Sequence, residues 1–162
     1  MKETLSLRTA WSRPYVQAGR EERLFLQIEI SSGTHSERLQ SSGLSEGQLN
    51  YAAKHVLLNL HVSDRVSIIQ VYGQPTYQHI GETTIMAGSL RHNHVKTIVV
   101  ELSLQAHDPG TYPVLLISGE YMNGVYGSYV DIHYEVNAAF TADPNLLIAE
   151  MPLEPSLLQV KR

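Results

Sequence analysis

The feature that most constrains this chain is side-chain alternation with a period of two, repeated in segment after segment. Leu5, Leu7, Thr9 and Trp11 alternate with Ser6, Arg8 and Ala10. Leu24, Leu26, Ile28 and Ile30 share one face, with Phe25, Gln27 and Glu29 on the other. Successive side chains of an extended strand point to opposite faces, so this pattern buries one face and wets the other. Val56 to Val62 repeats it, and Val66 to Tyr72 follows across Ser63-Asp64-Arg65, for which a hairpin is the simplest connection. Thr83 to Met86 is a shorter candidate. Lys96 to Leu104 is a long one, rich in β-branched residues that suit pleated surfaces.

Turn chemistry separates these runs. Asp108-Pro109-Gly110 supplies one turn. Asn123-Gly124, the dipeptide that best tolerates the positive φ angles of a type I′ turn, stands between Tyr112–Tyr121 and Val125–Val136. The expectation is an all-β fold, an antiparallel sandwich of about seven or eight strands, since a parallel α/β sheet needs helical segments between its strands. The 162 residues fit one domain spanning the chain, and 43% hydrophobic residues spread along it suffice for a core.

Two segments do not alternate. Ser31 to Gly47 is rich in Ser and Gly and reads as a linker-like interruption, with Leu44 to Lys54 a candidate short helix at its end. Near the C-terminus, Asp143 before Pro144 reads as an N-cap and first helical position, predicting a short helix from Pro144 to Ala149 that Pro152 stops. Ala52 to Tyr72 also admits a helix followed by a strand, because Val56, Leu57 and Leu60 satisfy helical spacing too. Two strands fit better, because the chain beyond Tyr72 continues as sandwich rather than as further α/β units.

Charge and composition then narrow the function. A net charge of −4 offers no basic field for a phosphate backbone, so nucleic acid is not an expected partner. No apolar run reaches the roughly 18 to 20 residues of a membrane helix, and Met1 to Thr4 lead into a strand rather than a signal-peptide core. The expected location is cytoplasmic. The absence of cysteine removes disulfides, thiolate zinc sites and cysteine nucleophiles together.

Arg13-Pro14-Tyr15-Val16-Gln17-Ala18-Gly19, followed by the strand Arg23 to Ile30, resembles the segment that precedes the von Willebrand factor A domain in bacterial proteins of that family. Val71-Tyr72-Gly73, Gly88-Ser89-Leu90, Gly110-Thr111-Tyr112 and Phe140-Thr141-Ala142-Asp143-Pro144 resemble the β-rich region on its other side. The adhesion motif Asp-x-Ser-x-Ser, whose carboxylate and hydroxyls coordinate magnesium in the family, is absent from the sequence. The resemblance therefore implies the flanking β-sandwich alone, with residues 31–47 where relatives insert the A domain, and it carries no metal-binding residue to this chain.

Candidate sites are few. His92 and His94 are two apart, and on a strand they would share a face and could hold zinc or nickel. Asp131, His133 and Glu135 project together, opposite Val130, Ile132, Tyr134 and Val136. That row has the atoms for a cation or for acid–base chemistry, but it is also the wet face of an amphipathic edge strand. Gly43-Leu44-Ser45-Glu46-Gly47 matches the nucleophile-elbow pattern without the strand that must enter it. No phosphate-cradling or dinucleotide loop occurs, so nucleotide and oxidoreductase mechanisms have no foothold, no cofactor is expected, and an enzyme would have to assemble its site from residues distant in sequence.

Tyrosine remains. Tyr112, Tyr121, Tyr126, Tyr129 and Tyr134 gather in the last hairpin, where Tyr121 and Tyr126 bracket the Asn-Gly turn, so at least one should be exposed. Tyr121, Tyr126 and Tyr129 are the partner-binding candidates, with ordinary cross-strand packing as the plainer alternative. The expected function is a non-enzymatic interaction or scaffold module that pairs with another protein or with a second copy of itself. A carbohydrate- or small-ligand-binding sandwich using Tyr and Trp11, and a histidine-dependent metalloprotein, are the alternatives.

Overall fold

The computed structural model describes residues 5–32, 51–79, 81–124 and 126–147. These form β1 (Leu5–Trp11), β2 (Val16–Gln17), β3 (Glu22–Ser32), β4 (Tyr51–Val62), β5 (Val66–Tyr72), β6 (Thr76–His79), β7 (Glu82–Arg91), β8 (Val95–Leu104), β9 (Gly110–Asn123), β10 (Tyr129–Thr141) and one helical turn at Pro144–Leu147. A small sheet runs β1-β3-β8-β5, and a large sheet runs β2-β10-β9-β4-β7-β6. The architecture is an all-β, sandwich-like fold. Described pairings are antiparallel except that β2 lies parallel to Phe140 and Thr141 at the end of β10.

The inner faces are those that alternation marks. Leu24, Leu26 and Ile28 of β3 stand opposite Leu102, Val100 and Ile98 of β8. Leu58, Leu60, Ile85, Leu115 and Ile117 face them from the large sheet, all buried. Each such aliphatic side chain contributes about 1.5–3 kcal/mol when fully withdrawn from water, so this double layer is the main source of stability. Val136, Ala138 and Phe140 extend the same core along β10.

Several expectations need correction. Ten strands are present among the described residues rather than seven or eight, because β2 is too short and β6 too polar to show alternation. Tyr51–Lys54, expected in the short helix, belongs to β4, and the remainder of that segment, 44–50, lies outside the described residues. A bulge around His55, whose φ is 55°, breaks the strict period just before Val56, and helical spacing also fits because Leu57 is apolar although it lies on the outer, half-buried face.

β4 and β5 do not form a hairpin. They lie in opposite sheets, and Ser63 to Arg65 is a corner between layers, held by Ser63 N–H on Val114 O (3.1 Å) and Gln105 N–H on Arg65 O (2.9 Å). Both strands carry an apolar face, and placing them across the core buries both.

At β9–β10 the hairpin exists, but its loop is longer than a two-residue turn. Asn123 N–H reaches Ser128 O at 2.7 Å, and the positive φ of 76° belongs to Gly127, not to the Asn-Gly pair. Near the C-terminus, Asp143 does cap the helical turn: its Oδ1 accepts Asn145 N–H at 2.9 Å. Ser31 and Ser32 end β3, and 33–47, the rest of the segment expected as a linker-like interruption, lies outside the described residues.

Candidate functional site

A sandwich leaves edges, and edges are where unpaired backbone can recruit another chain. On the large sheet β6 is only four residues long; on the small sheet β5 carries a bulge between Ile68 and Gln70, and β1, paired only with β3 among the described residues, is turned toward β10 by the ties of Leu5, Thr9 and Trp11. β10 differs. Its only outer neighbour, β2, covers Phe140 and Thr141, so Tyr129 to Ala139 have no strand beside them among the described residues.

The direction of the free backbone groups is set by three fixed points. At the hairpin mouth Asn123 N–H donates to Ser128 O. On the side away from β9, Asn137 O accepts the Trp11 indole N–H at 2.9 Å, and Thr141 O accepts Ala18 N–H at 2.9 Å. The alternation of an antiparallel ladder between these points turns the N–H and C=O of Tyr129, Asp131, His133 and Glu135 toward the open edge. Trp11 closes one end of this stretch and the hairpin loop the other.

Side chains divide along the same strand. Asp131, His133 and Glu135 are exposed on the outer face, while Val130, Ile132 and Tyr134 are half-buried on the inner one. The inner three, with Leu5, Leu7, Ile30 and Tyr121, line a largely apolar cleft of about 350 Å³ between β10 and the edge of the small sheet, which Asp131 and His133 of the strand edge also border. Polar ties hold its walls together: Leu5 N–H donates to Tyr121 Oη and Thr9 Oγ1 to Tyr134 Oη, each at 3.3 Å. Leu5 and Leu7 belong to a strand far away in sequence, so alternation marks them as apolar without showing that they line this cleft.

On the outer face the three rows through Asp131, His133 and Glu135 carry acids, while Lys54 stands in the next row, opposite Met122 and beyond it Tyr129. Asp131 pairs with Glu120, which lies opposite Leu57, then Met86; His133 with Ser118, then Asn59, Thr84 and Tyr77; Glu135 with Leu116, then His61. None of these positions is lysine or arginine. Among the described residues neither Asp131 nor Glu135 has an ion-pair partner. His61 Nε2 reaches Ser118 Oγ at 3.2 Å and Glu82 Oε2 at 3.8 Å.

The other candidate residues fall elsewhere. His92 and His94 lie in the turn between β7 and β8, around Asn93 with φ 64°, and not on a strand. Both ring nitrogens of His92 are buried without a hydrogen-bond partner, whereas His94 is exposed beside a depression shared with Tyr51 and Arg91. Among the described residues no group of three or more His, Asp or Glu is placed to hold a metal ion. Tyr121 is 3% exposed, and Tyr126 and Tyr129 are 63% and 61% exposed at the hairpin end of the free edge. The Gly43–Gly47 string lies outside the described residues.

The class this defines is a two-sheet β-sandwich in which, among the described residues, the edge strands β1 and β10 flank a largely apolar cleft. Among solved structures the fold is similar to BcpA, the major pilin subunit of Bacillus cereus, at 8% identity over 85% of this chain, with a TM-score of 0.52. It is also similar to the ArnB paralog VWA2 from Sulfolobus acidocaldarius, at 8% identity over 88% of this chain and 78% of that one, with a TM-score of 0.53. This chain spans 41% of the pilin's length. At such identities the similarity is one of fold. No family model and no curated protein matches the sequence. Among the described residues no helix is long and apolar enough to cross a membrane.

Proposed function

We propose that this chain is a non-enzymatic binding module that recognises another protein chain by strand addition along β10. The observation that carries the reading is the edge from Tyr129 to Glu135, which has no strand beside it among the described residues and lies above the largely apolar cleft. An extended segment laid there would take main-chain hydrogen bonds from the edge and drop alternate side chains into the cleft, which is how sheet-edge recognition combines affinity with selectivity. Tyr126 and Tyr129 add exposed aromatic area at one end. The fold similarity to a pilin subunit is compatible with a sandwich that acts through protein contacts.

Self-association is the weaker form of this reading. A second copy at the same edge brings its own Asp131 and Glu135 onto one outer surface, where like charges on neighbouring strands destabilise pairing. Light scattering across a concentration series separates the two: a monomer throughout favours a foreign partner, and a dimer abolished by His133→Pro assigns the edge to self-pairing.

The test of the edge itself is panning of an unbiased displayed-peptide library against the wild type and against His133→Pro. That substitution removes an outward N–H and leaves the ladder to β9 in place, as edge strands tolerate. Enriched peptides should bind the wild type and lose binding to the variant. Failure to enrich, or equal binding to a variant with an unchanged circular dichroism spectrum, refutes the proposal.

A further inference from the structure

We infer that the strand accepted by β10 alternates apolar and basic side chains; this deepens the edge-binding proposal and rests on it. The two faces of the free edge differ in chemistry. Beneath it, Val130, Ile132 and Tyr134 with Leu5 and Leu7 leave apolar surface half-covered, in a cleft large enough for side chains. Above it, Asp131 and Glu135 stand exposed without cationic partners among the described residues, and the cross-strand neighbour of Asp131 is another acid, Glu120.

A strand added to β10 must place successive side chains on these two faces in turn. Apolar residues at every second position fill the cleft. The residues between them lie beside Asp131, His133 and Glu135, where a lysine or arginine meets an unpaired carboxylate and a glutamate meets repulsion. Cross-strand pairing thus selects a pattern, not merely a charge, and the same acids discourage pairing with acidic edges.

The experiment uses nine-residue synthetic peptides of alternating lysine and valine, glutamate and valine, and lysine and serine, titrated calorimetrically against the full chain. The lysine–valine peptide should bind, more weakly as salt rises. The double variant Asp131→Asn, Glu135→Gln should weaken it by about three- to tenfold, the size expected for two exposed charge pairs. The lysine–serine peptide should bind less well, since it leaves the cleft unfilled.

The outcomes separate the two layers of the argument. Glutamate–valine binding as tight as lysine–valine, with both lost in His133→Pro, overturns the charge pattern and keeps the edge. Binding that persists in His133→Pro overturns the edge reading as well. No binding by any peptide overturns the pattern, and the library panning then decides the edge alone. Amide hydrogen exchange supplies the readout that a loosely held surface contact would not move: protection should appear at Asp131, His133 and Glu135.

Discussion

Two glycines in the β9–β10 loop separate two physical reasons for having a glycine, and they predict different penalties for the same substitution. Gly124 is buried, and its N–H donates to Ala52 O at 2.9 Å. A Cβ built on it falls on the carbonyl oxygen of Tyr51 and lies 3.1 Å from the carbonyl carbon of Ala52, both backbone atoms of β4. Neither can swing aside as a side chain would. Gly127 is the opposite case: its φ is +76°, yet nothing lies within 4 Å of the added Cβ.

For Gly124→Ala, forcing β9 and β4 apart costs about 1–3 kcal/mol as overpacking. Loss of the hydrogen bond to Ala52 adds about 0.5–1.5 kcal/mol. Alanine also restricts the unfolded chain, which returns about 0.4–1 kcal/mol. The net destabilisation is about 0.5–4 kcal/mol with a midpoint of about 2, or a fall in Tm of about 4–8 °C at that midpoint for a domain of this size. For Gly127→Ala the left-handed backbone costs about 1–2 kcal/mol, offset by the same unfolded-state gain, for a net of about 0–1.6 kcal/mol with a midpoint of about 0.8. Gly127→Asn should fall below that. Guanidinium unfolding followed through the single tryptophan measures all three. A Gly124→Ala variant within about 0.5 kcal/mol of wild type, or one more stable than Gly127→Ala, would refute the close-approach argument.

Leu58→Ala, at a side chain with no exposure between Ile85 and Gly119, should cost about 2–5 kcal/mol in the same assay. Trp11→Phe removes the indole N–H from Asn137 O and should cost about 1 kcal/mol, with faster amide exchange near Asn137 as its local signature. The Tyr72 phenol should ionise above its ordinary 10.0, first because its hydroxyl donates to Glu101 Oε1 at 2.9 Å, then through burial and the glutamate's charge. The folded state favours the neutral phenol, so this contribution is complete below the ordinary tyrosine range and is lost as pH rises through the elevated folded value. Ultraviolet absorbance titration by difference checks it: the step lost in Tyr72→Phe should lie above the ordinary value, and Glu101→Gln should move that step downward.

Much of the fold was legible because burial in a sandwich is a local pattern. Leu5 to Trp11 and Val66 to Tyr72 are strands with the expected bounds, and the inner face of β3 is the one alternation marks. What alternation cannot encode is which sheet a strand joins. Val56–Val62 and Val66–Tyr72 present the same pattern whether they pair side by side or face each other across the core, and only packing against β9 and β8 decides. The Asn-Gly signal located the hairpin but assigned the glycine the wrong duty. Its role is room for the backbone of β4, a strand remote in sequence, and turn propensity carries no trace of that contact.

The candidate site shows the same division between local and distant information. Asp131, His133 and Glu135 alternate visibly with Val130, Ile132 and Tyr134, so an amphipathic strand could be read directly. Whether its edge is free could not, since that depends on how little of β10 is covered by β2 and on where β1 lies. Contacts spanning more than a hundred residues settle both: Leu5 with Tyr121, Thr9 with Tyr134, and Trp11 with Asn137. These ties dock β1 beneath β10 without pairing to it, which leaves apolar side chains half-covered under open backbone. A β1 shifted by one residue would turn Ser6 and Arg8 into the cleft in place of Leu5 and Leu7, because register in a strand decides its face. The proposed recognition surface is thus a consequence of how β1 seats, and Thr9→Val, which removes the tie to Tyr134 and leaves the backbone of Tyr129 to Glu135 in place, should weaken binding of the lysine–valine peptide in the same calorimetric titration.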